Sequence, residues 1–168
     1  WNPWPPDNNM GLWRPVKLIK TGAVAVNKVF VKPWLNTESL EEATLTISAQ
    51  LVNHSDKAVS GQVEASIEGF SVKKEYSLAP NEIKKITFDP KEYPALNLKD
   101  PKVWWPNNLG DPNLYTMDIS AKTDNNISDQ KSVRFGIREV ADYVNENGHR
   151  GFIINGKKIL IKGAGWVD

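Results

Sequence analysis

Apolar and polar residues alternate along most of this chain, most clearly from Ala43 to Leu51. Leu45, Ile47 and Ala49 fall on one side of an extended backbone, and the residues between them are Thr, Ser and Gln. The alternation returns in stretches separated by turns rich in Asn, Asp, Gly or Pro. These stretches lie near 24–31, 62–68, 72–78, 83–88, 115–121 and 128–136. The pattern predicts about seven short strands, each with one buried face.

The first of these strands changes phase part-way along. Val24 and Val26 alternate in step, whereas Val29 and Val31 are displaced by one residue around Asn27-Lys28. An extra residue in one strand of an antiparallel pair has this effect. We therefore expect an irregularity in the first strand at this point.

Short antiparallel strands without helices are typical of an immunoglobulin-like β-sandwich. No ten-residue stretch has convincing helical periodicity, so the predicted fold class is all-β. Tyr115 heads the sixth strand and fits either a tyrosine corner, with its hydroxyl bonded to upstream backbone, or an ordinary core position. The predicted core consists of the residues in the apolar phase of their strands: Leu45, Ile47, Leu51, Val63, Ile67, Met117, Ile119 and Phe135.

Three segments fall outside the predicted sandwich. Residues 1–22 hold a strand-like run at 11–19, in which Pro15 favours an edge position. Residues 89–113 read as a long connection with little regular structure. Residues 141–168 contain two apolar runs around Asn155-Gly156, the dipeptide that favours a two-residue hairpin turn. Because the hairpin leads into an unfinished glycine-rich and aromatic end, we expect the chain to be a piece of a larger protein.

Composition narrows the possible partners. The chain has 168 residues, of which 40% are hydrophobic and 24% charged, enough for one domain core. The 21 Lys and Arg nearly balance the 20 Asp and Glu, so there is no electrostatic footprint for nucleic acid or for an anionic membrane. The absence of Cys excludes disulfides and thiolate chemistry. No apolar run approaches the length of a membrane helix.

Candidate catalytic chemistry is sparse. His54 and His149 lie in polar turn contexts without further ligands at metal-binding spacing, so we predict neither a metal site nor a cofactor. Glu41 and Glu42 point apart in an extended segment, and no acid/base pair can be nominated. Two Asn-X-Ser sequences, at 53–55 and 126–128, match glycosylation acceptors, a short pattern that often arises by chance.

The seven Trp residues are the unusual feature of the composition. Nearly all lie outside the alternating strands, where they fit either carbohydrate stacking or packing between domains. We favour packing for Trp13, Trp34, Trp104 and Trp105, and leave Trp166 and the loop at Trp1–Trp4 open.

Taken in order, several motifs resemble glycoside hydrolase family 2, and within it the exo-β-D-glucosaminidase and β-mannosidase relatives. Residues 5–14 (Pro-Pro-Asp-Asn-Asn-Met-Gly-Leu-Trp-Arg) are similar to the end of that family's N-terminal sugar-binding jelly-roll domain. Trp-Trp-Pro at 104–106, with Gly110, Pro112 and Leu-Tyr at 114–115, resembles its immunoglobulin-like domain, and Phe-Gly-Ile-Arg at 135–138 resembles the exit from it. Residues 152–166 resemble the lead-in hairpin and first strand of its catalytic (β/α)8 barrel.

The resemblance implies three domain pieces: the end of a sugar-binding domain at 1–22, an immunoglobulin-like sandwich at 23–140, and the start of a truncated barrel at 141–168. It implies a retaining hydrolase whose two catalytic Glu residues lie on barrel strands beyond Asp168, so this chain carries no catalytic residue. Trp166 matches a Trp at the end of the first barrel strand and is the one substrate-binding candidate, in the parent enzyme. Val167-Asp168 departs from the family's pattern of an acidic residue a few positions after that Trp, so Asp168 is not assigned to it.

Two functions from different classes follow. One is a noncatalytic spacer between the sugar-binding domain and the barrel of a retaining exo-β-glycosidase, a β-glucosaminidase or a β-mannosidase. The other is an autonomous carbohydrate-binding module that uses exposed Trp residues. The expected partners are the other domains and the carbohydrate substrate of the parent, without nucleic acid or membrane, and possible self-association through the flanks. We expect a periplasmic or secreted parent rather than a cytoplasmic one.

Overall fold

The computed structural model describes residues 11, 12 and 14–163 of the chain. The fold is an all-β, immunoglobulin-like antiparallel sandwich, as predicted. Its strands, in chain order, are β1 (Val24–Leu35), β2 (Glu42–Asn53), β3 (Val59–Ile67), β4 (Phe70–Leu78), β5 (Ile83–Phe88), β6 (Asn97–Lys99), β7 (Tyr115–Thr123), β8 (Asn126–Phe135), β9 (Val140–Val144), β10 (Arg150–Ile154) and β11 (Lys157–Ile159).

Two four-stranded sheets form the sandwich, and a three-stranded sheet follows it. In the first sheet the order is β1-β2-β5, with β6 paired to the start of β2. The second sheet has the order β4-β3-β7-β8, and the third has the order β11-β10-β9. All strand pairings are antiparallel: β1 with β2, β2 with β5 and β6, β3 with β4 and β7, β7 with β8, and β10 with β9 and β11.

The core lies between the two four-stranded sheets, where their apolar phases meet. Every predicted core residue is buried, with an exposed fraction between 0% for Leu51 and 8% for Phe135. Fully buried side chains are also contributed by Phe88 at the end of β5, Leu96 in the following connection and Ile137 after β8. The alternation in the sequence therefore identified the buried face of these strands correctly.

The predicted irregularity in the first strand is confirmed as a β-bulge. Asn27 pairs with Gln50 and Phe30 pairs with Ser48, so the two residues between them in β1 oppose Ala49 alone. Lys28 takes a left-handed φ of 47° at this point. The bulge restores the inward direction for Val31, which is buried.

The last predicted strand contains a polar residue that faces inward. The register between β7 and β8 shifts between Ala121 and Lys122, which places Asp129 opposite Ala121. The buried Asp129 carboxylate accepts hydrogen bonds from the Val26 N–H (2.8 Å) and the Gln130 N–H (2.8 Å). Asp129 therefore ties the edge strand of the first sheet to the edge strand of the second.

Two segments outside the sandwich, 11–19 and 89–113, contain little regular structure among their described residues. The connection at 89–113 contains a 3-10 turn at Pro94–Leu96 and the strand β6, because its residues 97–99 pair with β2. Among the described residues, the strand-like run at 11–19 belongs to no strand, and Leu12, Val16, Leu18 and Ile19 are exposed. No helix in the described part of the chain is long and apolar enough to cross a membrane.

Candidate functional site

The junction between the sandwich and the β9–β11 sheet carries most of the unusual side chains. We call it the tryptophan junction and define it as Trp104, Trp105, Asn155, Gly156 and the residues that contact them. The predicted hairpin forms there, with Ile154 of β10 paired to Lys157 of β11. Asn155 has φ 50° and Gly156 has φ 78°, the positive values that a type I′ turn requires.

The Asn155 side chain is inserted into the junction rather than exposed at the tip of a turn. Its exposed fraction is 2%. The amide oxygen accepts a hydrogen bond from the Glu139 N–H (2.9 Å), and the amide nitrogen donates to the Trp104 carbonyl (2.9 Å). The Asn155 N–H also donates to the Glu139 carbonyl (3.0 Å). The hairpin tip is therefore held by backbone groups on both sides of it.

Gly156 lies against the loop that joins β1 to β2. A Cβ added at Gly156 would lie 3.1 Å from the Thr37 carbonyl oxygen, and the positive φ would strain any other L residue. The Asn-Gly pair therefore serves two purposes here: it makes the turn, and it lets the turn approach the sandwich closely.

The two Trp residues are held by backbone hydrogen bonds. The Trp104 N–H donates to the Ile137 carbonyl (2.9 Å), and the Trp105 N–H donates to the Asp111 carbonyl (3.0 Å). Gly136 leaves room for Trp104, because a Cβ at this position would lie 2.8 Å from the Trp104 Cβ. Gly110 does the same for the Trp105 ring, also at 2.8 Å.

Cations lie over both half-buried indole rings. The Arg138 guanidinium is 4.5 Å from the centre of the Trp104 ring, and the Lys157 ammonium is 4.7 Å from the centre of the Trp105 ring. Such cation–π contacts stabilise by about 0.5–1 kcal/mol at exposed sites. Since Lys157 belongs to β11, the second contact adds a further tie between the hairpin and the sandwich loop.

Tyr115 makes the bond expected of a tyrosine corner. Its hydroxyl accepts a hydrogen bond from the Lys102 N–H (2.7 Å), upstream along the chain. Its ring stacks on Phe135 with centroids 5.6 Å apart. Of the two alternatives left open by the sequence, the corner is correct, and it fixes the backbone just before the two Trp residues.

The other candidate residues are distributed as follows. Trp166, the substrate-binding candidate, lies outside the described residues, as do Trp1, Trp4, Trp13 and Asp168. Trp34 is on the outer face of β1 and is 51% exposed. His54 and His149 are both exposed. Within the described ranges, no group of three or more His, Cys, Asp and Glu is arranged to hold a metal ion.

Asn53, in the first Asn-X-Ser sequence, has a structural role that the motif does not indicate. Asn53 is 1% exposed, and its amide nitrogen donates to the Lys57 and Ala79 carbonyls (2.7 and 2.9 Å). Its amide oxygen accepts from the Ser55 N–H (3.0 Å). Because both amide hydrogens are engaged, this side chain is a turn anchor and not a glycan acceptor in the folded chain.

A groove borders the junction on the side of the hairpin. It has a volume of about 580 Å³ and lies between the loop at 106–109 and residues 158–162. Leu109, Leu160 and Ile161 give it an exposed apolar wall, while Asn107, Asn108 and Lys162 line its rim.

Comparison with known proteins identifies the family of this chain. The family model for glycosyl hydrolases family 2 matches residues 24–138, from the start of β1 to Arg138 beside Trp104. The chain belongs to glycosyl hydrolases family 2. The match covers the sandwich strands and the loop that carries Trp104 and Trp105, and it ends before the Asn155-Gly156 turn.

Relatives in this family align along almost the whole chain. An exo-β-D-glucosaminidase of Streptomyces avermitilis is 40% identical over 99% of the chain, and a β-mannosidase B of Emericella nidulans is 28% identical over 94%. The crystal structure of the exo-chitosanase CsxA of Amycolatopsis orientalis superposes with a TM-score of 0.86 at 36% identity, covering 97% of the chain. The chain spans only 19%, 18% and 18% of these three relatives, respectively.

Proposed function

We propose that this chain is the noncatalytic sandwich of a family 2 retaining exo-β-glycosidase, where it keeps a sugar-binding domain and a catalytic barrel in register. In this proposal residues 1–22 end the sugar-binding domain, residues 23–140 form the spacer, and residues 141–168 begin the barrel. The observation that carries the proposal is the buried Asn155, which joins the hairpin to Trp104 and Glu139 on the sandwich.

The geometry suits a spacer because the hairpin leads directly into the segment assigned to the barrel. Hydrogen bonds to buried backbone groups are directional, and a buried group left unpaired costs about 1–3 kcal/mol. A hairpin fixed by such bonds holds one orientation, which domains joined by a flexible linker would not. Trp104, Trp105 and their glycines supply the close packing around it.

The parent activity that fits best is the hydrolysis of terminal β-D-glucosaminides. The exo-β-D-glucosaminidase of Streptomyces avermitilis aligns at 40% identity, whereas the β-mannosidase B aligns at 28%. By the family resemblance, the two catalytic Glu residues lie beyond Asp168, and Trp166 contributes to the substrate pocket. We place such a parent in the periplasm or outside the cell.

Assays of the isolated chain test its noncatalytic role. We expect no turnover of p-nitrophenyl β-glucosaminide or β-mannoside, since glycoside hydrolysis requires a carboxyl pair flanking the scissile bond. Turnover that persists through purification and disappears on replacing a carboxylate of this chain would overturn the proposal.

A second assay tests the spacer role in the longer protein, in which the chain is joined to both neighbours. Asn155→Ala should lower kcat/KM on the glucosaminide and speed proteolysis at the sandwich–barrel boundary, because the hairpin loses its orientation. Asn125→Ala is the matched control, since Asn125 occupies a turn with φ 62° but is exposed. Equal behaviour of the two variants would contradict the spacer role.

One observation favours the alternative function, a carbohydrate-binding module. Trp34 is 51% exposed on a sheet face, where an indole ring can stack on a sugar. Titration of the isolated chain with chitosan and mannan oligosaccharides separates the two functions. Quenching of Trp fluorescence that is lost in Trp34→Ala would favour the binding module.

A further inference from the structure

The β-bulge in β1 opens a small pocket on the outer face of the first sheet. Its volume is about 230 Å³, and it is lined by Lys28, Ser48, Ala49, Gln50 and Lys85. The bulge accounts for its position, because Lys28 and Val29 occupy the place of one residue opposite Ala49. Gln50 of β2 pairs with Asn27 on one side and Lys85 on the other, so the pocket bridges three adjacent strands.

Among the described residues, no ion pair compensates the positive charge of this pocket. Lys28 and Lys85 take part in no ion pair among the described residues. No acidic side chain is among the described residues that line the pocket. The strands β1 and β5 lie about 10 Å apart across β2, a distance that two flexible lysine stems can close around one anion.

The backbone conformation at Lys28 also distinguishes this position from a regular strand. A left-handed φ is uncommon for a residue other than Gly, Asn or Asp, and Lys28 has φ 47°. Held in this conformation, Lys28 lies at the pocket instead of continuing the regular alternation of the strand. Bulges commonly redirect side chains beside binding sites.

The residues beside the pocket indicate that the anionic group belongs to a sugar. Phe30 pairs directly with Ser48 and is 60% exposed, which leaves an aromatic face beside the pocket. Aromatic faces stack on the apolar faces of sugars, while the Ser48 hydroxyl and the Gln50 amide can bond sugar hydroxyls. A protein partner fits less well, since the cores of protein interfaces are depleted in Lys and Ser.

We propose that this pocket binds an acidic sugar residue of a carboxylated oligosaccharide. The carboxylate lies between Lys28 and Lys85, and the pyranose ring stacks on Phe30. A glucosamine oligomer is disfavoured, because its ammonium groups would be repelled by the two lysines. The pocket is smaller than the roughly 300–1,000 Å³ of sites that enclose a drug-sized ligand, so binding is weak and confined to one residue of the oligomer. The site does not depend on the proposed spacer role.

Nuclear magnetic resonance titration of the isolated chain tests the site, with oligogalacturonate as the probe at physiological salt. We expect saturable shift changes centred on Lys28, Ser48, Gln50 and Lys85. A neutral cello-oligosaccharide of the same length should bind more weakly, since it lacks the carboxylate. Equal binding of the two oligomers, or shifts centred on Trp34, would overturn the proposal.

Charge-removing variants localise the effect. We expect Lys85→Gln and Lys28→Asn each to weaken oligogalacturonate binding by up to about fivefold, the range of an exposed ion pair. Asn is chosen at position 28 because it tolerates a left-handed φ. Lys32→Gln is the matched control, because it removes the same charge from the same strand about 10 Å from Lys28, beyond the Debye length of about 8 Å. If Lys32→Gln weakens binding as much as the other two, the pocket is not the site.

A polyglutamate peptide separates sugar recognition from general attraction of anions. We expect it to bind more weakly than oligogalacturonate at matched charge, because a peptide carboxylate brings no pyranose ring to stack on Phe30. The Phe30→Ala variant should remove that difference. A polyglutamate that binds as tightly, with the same shifts, would show that the surface takes any polyanion and would refute the sugar site.

Discussion

At the scale of single residues, the most informative position is Asn155. Sequence patterns predicted a hairpin turn here, because Asn and Gly accept positive φ values. They did not predict that the Asn155 amide would be buried against Glu139 and Trp104, since those partners are distant in sequence. A dipeptide motif reports local backbone preference, and tertiary partners decide what its side chain contacts.

Replacing Asn155 should release the hairpin from the sandwich. Asn155→Ala removes two side-chain hydrogen bonds to backbone groups and adds the strain of a left-handed Ala. We expect local opening of the hairpin to become easier by about 2–4 kcal/mol. Hydrogen exchange of the β10 and β11 amides measures this opening.

Asn125→Ala serves as its control, since it keeps the backbone strain of φ 62° at an exposed turn between β7 and β8. At that turn we expect the free energy of local opening to fall only by the backbone strain of a left-handed Ala, about 1–2 kcal/mol. If both variants raise exchange equally at their own turns, the buried amide adds nothing.

At the scale of elements, the alternating strand β2 is the best predicted part of the molecule. Alternate residues of β2 from Ala43 to Asn53 are buried, while those between them are at least partly exposed. Half-buried strands of this kind leave a period-two signal in the sequence. The two elements that the sequence did not predict as strands, β6 and β9, are short and mostly exposed, so their residues carry little alternation.

The sequence pattern predicted the bulge in β1 but not the register shift before Asp129, and the difference has a physical reason. In β1 the apolar residues on both sides of the bulge are Val, so the change of phase appears in the sequence. In β8 the inward residue is Asp129, and a buried carboxylate bonded to backbone N–H groups resembles a surface residue in composition. Sequence pattern recovers burial of apolar groups and misses burial of satisfied polar groups.

Truncation of a β2 core residue tests the burial. Leu51 is fully buried between the two sheets. Leu51→Ala should lower the free energy of unfolding by about 2–5 kcal/mol, the usual range for a buried Leu. Urea unfolding followed by Trp fluorescence measures the change. A midpoint that does not move would mean that the two sheets are not packed at this position.

Stability should depend on pH through Glu64 of β3. The hydrogen bond from Lys122 (2.9 Å) and the charges of Lys122 and Lys73 hold the pKa of Glu64 below its ordinary value of 4.5, against the opposing effect of burial. Because the folded pKa is lower than the unfolded one, the ionised carboxylate stabilises the fold above about pH 4.5. This stabilisation is lost as the pH falls through the folded pKa.

The Glu64→Gln variant isolates this contribution. It should be less stable than the parent sequence near neutral pH and should lose less of its stability on acidification to about pH 3. Glu146→Gln, in the exposed turn before β10, is the matched change of charge. Urea midpoints at both pH values provide the measurement. Parallel acid dependence of the Glu64 and Glu146 variants would exclude the Glu64 cluster as the cause.

At the scale of the whole molecule, the segments on either side of the sandwich differ in how they are held. The β9–β11 sheet is joined to the sandwich through Asn155 and through Lys157 over Trp105. Of the apolar residues in and after the hairpin, Phe152 and Ile161 are exposed (36% and 58%), whereas Ile154 and Ile159 are half-buried. The run at 14–20 has exposed side chains and no strand partner in the described part of the chain.

Limited proteolysis should reveal this difference. Lys17 and Lys20 are exposed in a segment outside any strand, so trypsin should cleave there first. Lys157 and Lys158 are also exposed, but their backbone is paired with β10, and cleavage there requires the hairpin to open. Mass spectrometry of the first products distinguishes the two regions. Early cleavage after Lys157 or Lys158 would contradict the docking of the hairpin.

Self-association should follow from the exposed apolar side chains at 12–19. Leu12, Val16, Leu18 and Ile19 are 66–100% exposed, and unpaired extended segments with apolar side chains seek partners. We expect light scattering to show a mass that rises with concentration, and Leu18→Glu with Ile19→Glu to return it to the monomer value. Leu160→Glu is the control at an equally exposed position beyond β11. A monomer at all concentrations whose Lys17 and Lys20 resist trypsin would show instead that this run folds back onto the sandwich, and the chain would then be one self-sufficient unit.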